Sequence, residues 1–262
     1  MNRVVIKVGG HALDRLNADS PVLRDLAEDI GAIRALNAAV VVHGGGPQIA
    51  SLLEQVGLSS AFVNGLRVTD SVTMEYVAMA LGLVNQRITA ALGRGGLAAV
   101  GLSGVDGALV KASAHGGQLG RVARELRVDG RLVLDLLDEG WTPVIGPVAS
   151  DAAGELLNCN ADTVAGSIAA AIGAATLVLL SDVDQLRRDP EDPGSALASV
   201  SSADVRTMMA DGSIRDGMIP KMQAALDALD AGAARVVLAN GTRAHALVGV
   251  LDGTIPSTEV KR

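Results

Sequence analysis

The sequence predicts an α/β fold built on a mainly parallel sheet, and three observations carry that. Short β-branched runs alternate with longer helical segments. Several strands end in Gly, Ser or Asp and pass straight into a helix. Of the 262 residues, 49% are apolar, ample for a sizeable core, while aromatic residues are 1%: Phe62, Tyr76 and Trp141. The core is therefore Ala, Val, Leu and Ile, and any bound base must sit against aliphatic groups.

Residues 3–8 (RVVIKV) form a buried strand ending at Gly9-Gly10. Ser20-Pro21 is an N-cap followed by proline at the first helical position, and the helix runs to about residue 37. Residues 40–42 are the next strand, and Pro47 opens a helix to about residue 57. This order argues for parallel strands joined by right-handed crossovers. Residues 70–92 read as a long helix, 97–102 as a strand running into Ser103-Gly104, and 107–130 as a hairpin. A helix at 131–139, a strand at 143–145, a helix of small residues at 161–172 and a strand at 177–180 continue the alternation. Residues 187–197 (RRDPEDPGSAL) carry two prolines and read as an exposed loop. Helices at 202–209 and 218–231 precede the last central strand at 236–238. There is no strong internal repeat and no linker.

The net charge is −7, without a basic patch, which argues against nucleic acid. The single cysteine, Cys159, excludes an intrachain disulfide and suggests a reducing compartment. No apolar run reaches the roughly 18 residues of a membrane helix, and MNRVVIKVGG lacks the apolar region of a signal peptide. A soluble cytoplasmic protein is expected.

Four strand ends share a pattern: VGG at 8–10, HGGG at 43–46, LSG at 102–104 and LLSD at 179–182. Open α/β sheets bind ligands beyond such carboxyl ends. Each turn alone is an ordinary β-to-α connection, but two glycine-rich turns at neighbouring strands point to a ligand. Gly44–Gly46 precede a helix, whose N-terminal N–H groups attract anions. The pattern is neither GxxxxGK[ST] nor GxGxxG, so positive charge must come from elsewhere.

Lys7 interrupts an apolar strand, and Lys221 starts a helix where the dipole disfavours a cation. Both side chains could instead snorkel to solvent. In NCNAD, Asn160 is a plausible N-cap with Asp162 in the first turn, whereas capping does not explain Asn158. In NGLRVTD, Asn64-Gly65 signals a hairpin turn. Arg67 follows it and could fork onto a carboxylate, although a lone Arg is more often a surface residue.

In order, IKVGG, VVHGGGPQI, NGLRVT, LVNQRI, GLSGVDG, PVIGPVA, NCNADTVAG, LLSDV and DGMIPK make the chain resemble the amino acid kinase family over essentially its whole length. Within it, the resemblance is to the branch that phosphorylates N-acetyl-L-glutamate in arginine biosynthesis. It implies a three-layer αβα sandwich around a mainly parallel sheet of about eight strands. An N-terminal lobe, about 1–172, would bind the acyl amino acid and form the dimer, and a C-terminal lobe, about 173–262, would bind ATP. Lys7, Lys221 and Asp162 would be catalytic: Lys7 bridging the reacting groups, Lys221 holding ATP phosphates, Asp162 holding both lysines. Gly44, Gly45, Gly46, Arg67, Asn158 and Asn160 would bind the substrate. Gly9, Gly10, Ser181, Asp182, Val183, Asp216, Gly217 and Met218 would line the nucleotide and phosphoryl path. Mg2+ would be held mainly by ATP phosphates and water, with no protein metal site.

Two departures stand out: Gln185 replaces a common glycine of the nucleotide loop, and Cys159 replaces an aliphatic residue, read here as a small buried hydrophobe. His43 is expected to pack or hydrogen-bond, and His11, His115 and His245 lack metal-ligand spacing. Arginine-inhibited members carry an extra N-terminal helix that links dimers into a hexamer. Met1 lies two residues before the first strand, so the resemblance implies a homodimer that arginine does not inhibit. Two rivals remain. A sister kinase acting on carrier-linked α-aminoadipate or glutamate would carry a basic rim, and none is visible beside Arg67. A binding regulator without turnover would have lost a lysine, and Lys7 and Lys221 are both present.

Overall fold

The computed structural model describes residues 1–9, 13, 20–215 and 217–262. The chain runs β1 (Asn2–Val8), α1 (Pro21–Ile33), β2 (Asn37–His43), α2 (Gly46–Gln55), β3 (Phe62–Val63), β4 (Leu66–Arg67), α3 (Ser71–Arg94), β5 (Ala99–Ser103), β6 (Val110–Gly116), β7 (Gly120–Val128) and α4 (Arg131–Asp138). It continues through β8 (Thr142–Gly146), β9 (Val148–Ser150), β10 (Leu156–Asn158), α5 (Ala161–Ala171), β11 (Thr176–Ser181), β12 (Ser199–Ser201), α6 (Ser202–Ala210), α7 (Met218–Asp230), β13 (Arg235–Asn240), α8 (Ala246–Asp252) and β14 (Ser257–Lys261). No described helix is long and apolar enough to cross a membrane.

Eight strands form one sheet in the order β12-β14-β13-β11-β1-β2-β8-β5. Every neighbouring pair is parallel except β13 with β14. The central strands are apolar at both odd and even positions, so both faces must be covered. Val4, Ile6, Val41 and Val178 pack with Leu26 of α1, Ile88 of α3 and Val250 of α8. Val5, Val42, Leu179 and Leu238 pack on the other face with Ile168 of α5 and Leu226 of α7. The result is the αβα sandwich that the sequence predicts. Lys7 shares the parity of Val5 and therefore faces α5.

The residues expected as a hairpin at 107–130 form β6 and β7, paired antiparallel. They close with β9 and β10 into a small four-stranded barrel. Those added strands, with β12 and β14, lie outside the sequence-based expectation because each is short or polar. The first helix also ends earlier than expected, since Asn37 already pairs with Asn2 in the sheet. Asn64 and Gly65 take φ of 50° and 76°, the left-handed pair of a two-residue hairpin between β3 and β4.

Parallel pairing puts the carboxyl ends of β1, β2 and β11 on one edge: Val8 is level with both His43 and Leu180. From β1 the chain builds outward to β2 on one side, and from β11 to β13 on the other. The order reverses between β1 and β11, where a crevice opens.

Candidate active site

Three charged side chains meet at that crevice. Lys7 Nζ stands 2.9 Å from Asp162 Oδ1, and Lys221 Nζ stands 3.7 Å from Oδ2. Lys7 and Asp162 are each only 4% exposed, a burial that a charge tolerates only when paired. Lys7 approaches Oδ1 off the hydrogen-bonding direction, so among the described residues this oxygen is held by charge alone. Two ammonium groups face one carboxylate, which leaves one positive charge in excess.

Each member is placed by its element. Asn160 caps α5, its Oδ1 accepting from the Asp162 and Thr163 N–H groups at 2.9 and 3.1 Å. The cap puts Asp162 in the first turn, where the helix dipole favours an anion. Its Oδ1 so engaged, Asn160 keeps only its amide nitrogen for a ligand. Lys221 lies in the first turn of α7 and also donates to Gly217 O at 3.3 Å. The Lys7 side chain folds back over Gly9: a Cβ there would collide with Nζ and approach Cε to 2.8 Å.

The three glycines after β2 divide their work. The Gly44 N–H donates to Val8 O at 2.8 Å, Gly44 O accepts from His43 Nδ1 at 2.8 Å, and Gly46 O accepts from Arg67 Nη2 at 3.1 Å. The Gly45 and Gly46 N–H groups have no acceptor among the described residues, and they head α2. A Cβ on Gly45 would meet Leu81 Cδ2 of α3 at 2.7 Å, whereas one on Gly46 would meet nothing within 4 Å. Packing thus requires glycine at 45 and not at 46.

These glycines, Lys7 and Asp162 line a cavity of about 280 Å³ with Arg67 and Asn158. Arg67 is 8% exposed, donates to Ser60 Oγ and lies 4.7 Å from the Phe62 ring centroid. Burial lowers its pKa. Asn158 Nδ2 donates to Thr69 Oγ1 at 3.1 Å, and that hydroxyl donates to Arg67 O at 2.7 Å. The hydroxyl's one proton is thereby used, so the amide nitrogen of Asn158 must face Thr69. Cys159 also lines the cavity, and burial pushes its thiol up to about 12.

A second cavity, about 580 Å³, lies toward the other end of the crevice. Asp182, Val183, Leu186, Ile214 and Met218 line it among others. Val183 N–H donates to Ser181 Oγ at 3.3 Å, tying the turn after β11. Gly217 caps α7 without lining this cavity. Gln185 donates to Ser257 O at 3.0 Å, and its φ is not positive, so the turn has no need of glycine there. Gly10 and Asp216 lie outside the described residues. The two cavities share no lining residue. Lys221, one turn after Met218, reaches from one toward Asp162 in the other.

Sequence reasoning does not single out Ser60, Thr69 or Asn85. Asn85 donates to Leu102 O and Val144 O at 3.0 and 2.8 Å. Its signal was a polar residue amid the apolar face of a long helix. Ser60 and Thr69 carry no such signal.

Residues 2–240 match the amino acid kinase family. The chain is 40% identical over 258 residues to the acetylglutamate kinase of Archaeoglobus fulgidus, covering 94% of this chain and 88% of that one. It is 42% identical over 250 residues to the acetylglutamate kinase of Deinococcus radiodurans, covering 95% and 97%. In fold it is similar to the carbamate kinase of Giardia lamblia solved with AMP-PNP: TM-score 0.73, 16% identity, 100% of this chain and 98% of that one.

Proposed function

The chain belongs to the amino acid kinase family, and from that premise we propose that it transfers the γ-phosphoryl group of ATP to the side-chain carboxylate of N-acetyl-L-glutamate. The observation that carries this is the Lys7–Asp162–Lys221 cluster: Lys7 and Asp162 are buried at the smaller cavity, and Lys221 reaches them from the helix that Met218 of the larger cavity opens.

A glutamate side chain has a pKa of about 4.3 and is ionised near neutrality, so the acceptor needs no general base. The obstacle is repulsion between that anion and the triphosphate. Catalysis is then positioning and charge neutralisation. Lys7 sits on the acceptor side and stabilises charge passing between the two groups. Lys221 holds phosphate oxygens of ATP. Asp162 fixes both ammonium groups and accepts no proton in the transfer. The N–H groups of Gly45 and Gly46, without an acceptor among the described residues, would donate to phosphoryl or carboxylate oxygens, and the space over Gly46 admits the ligand. Arg67 takes the α-carboxylate, while Asn158 and the amide nitrogen of Asn160 take neighbouring polar atoms. Among the described residues, Asp162 is the buried carboxylate at the smaller cavity, and its two lysines occupy it. A divalent cation such as Mg2+ is therefore best held by ATP phosphates and water, where it supplies charge neutralisation.

The smaller cavity is lined by residues up to 162 and the larger by residues from 182 onward. That division supports an N-terminal acceptor lobe and a C-terminal ATP lobe. The base would rest against Val183, Leu186 and Ile214. A homodimer completes the proposal. Val72, Met79 and Leu83 recur on one face of α3 and are 54%, 59% and 49% exposed. Beside them lies an apolar cavity of about 580 Å³ against edge strand β5.

The test is ADP release in a coupled assay with two acceptors. Free N-acetyl-L-glutamate should support turnover and carrier-linked α-aminoadipate should not; the opposite result would sink the reading.

A further inference from the structure

We propose that His43 is a positioning residue for the transfer: by holding the Gly44 carbonyl inward, it turns the Gly45 N–H toward the reacting groups. This role presupposes the phosphoryl-transfer reading above.

His43 is the last residue of β2 and is fully buried. Its Nδ1 lies 2.8 Å from Gly44 O, which can only accept, so Nδ1 carries the proton. Nε2 is then bare and accepts from Asn85 Nδ2 at 3.1 Å. The Asn85 amide is itself oriented, because its nitrogen also faces two backbone carbonyls, Leu102 O and Val144 O. The ring has one tautomer. Burial lowers its pKa to about 4, so it stays neutral near pH 7. Gly146 packs close to the ring: a Cβ there would stand 3.2 Å from Nε2.

The consequence follows from peptide geometry. Gly44 C=O and Gly45 N–H belong to one planar trans unit and point in opposite directions. A carbonyl pinned against the buried ring sends its N–H the other way, toward the cavity that Gly45 shares with Lys7. That N–H has no acceptor among the described residues. A peptide between two glycines otherwise flips at little cost, since neither has a Cβ to resist it. The Gly44 N–H is tied to Val8 O, and the imidazole supplies the second latch.

Two variants separate this role from mere packing. His43→Asn keeps a donor where Nδ1 stands, and His43→Leu keeps bulk without a donor. With folding checked by thermal melting, His43→Leu should lower kcat by about 10²-fold, with KM for ATP changed by less than about threefold. His43→Asn should recover most of kcat. A fully active His43→Leu, or a His43→Asn as impaired as it, overturns the proposal. Nitrogen NMR of the unaltered protein needs no variant: it should show His43 protonated on Nδ1 and bare on Nε2 from about pH 6 to 8. The reverse tautomer overturns the proposal as well. A wild-type protein that releases no ADP refutes the kinase reading itself, whereas an active wild type beside an active His43→Leu refutes this role alone.

Discussion

Asp162 is the residue on which the site turns, since it neutralises one of two lysines that would otherwise repel. Asp162→Ala leaves Lys7 buried without a counter-charge and should cost about 3 kcal/mol or more, read as a lower midpoint in urea. Lys221→Ala instead loses a partner whose side chain is 19% exposed. It should fold normally while kcat falls by about 10²- to 10³-fold, and unchanged kcat would refute its role. Gly9→Ala is a subtler probe. Its Cβ would displace the Lys7 ammonium, so kcat should drop while far-UV circular dichroism stays that of the wild type. Cys159, with its thiol pushed up to about 12, should resist thiol reagents near pH 8 in the native protein and react once urea unfolds it. Both lysines were legible in the sequence because each sat where a cation harms stability. Ser60 and Thr69 were not, because a hydroxyl costs little anywhere and shows its purpose only through a partner distant in the chain.

Elements hold these residues in register, chiefly through their ends. The Asn160 cap starts α5 at the turn that presents Asp162, and Asn160→Ala should lower stability by about 1 kcal/mol. At the other face α8 is docked on α1 by buried Asp29, which accepts from Leu247 N–H at 3.0 Å and from His245 Nδ1 at 2.8 Å. The Asp29 carboxylate raises the His245 pKa above 6.5. A raised folded-state pKa gives stability that is complete below 6.5 and lost as pH rises through the folded value. Melting temperature should therefore fall, as pH rises above about 6.5, more steeply in the wild type than in His245→Asn. Asn also tolerates the left-handed backbone that His245 adopts, φ 49°; parallel curves would refute the link. The sequence showed most helices and the long apolar strands through their periodicity. It concealed β12 and β14, because three or five residues rich in Ser and Thr resemble a loop until a neighbouring strand pairs with them.

For the molecule as a whole, the apolar face of α3 makes self-association testable. Leu83→Glu should reduce the mass seen by light scattering from that of two chains to that of one, and an unaltered mass would exclude this face. Composition and pattern by themselves determined a mainly parallel α/β sheet with right-handed crossovers, and the three-layer αβα sandwich came from the family resemblance. The ordered motifs determined the family and the identity of Lys7, Asp162 and Lys221. What only the tertiary structure decided is how these groups meet. The sheet order places β11 beside β1, and that neighbourhood joins Lys7 to Asp162 and Lys221, 155 and 214 residues away by position number. Likewise, only the fold shows that the Gly44 N–H serves Val8 while that of Gly45 has no acceptor among the described residues. Hydrogen-bond partners are set by direction at a few ångströms, and no spacing along the chain encodes that.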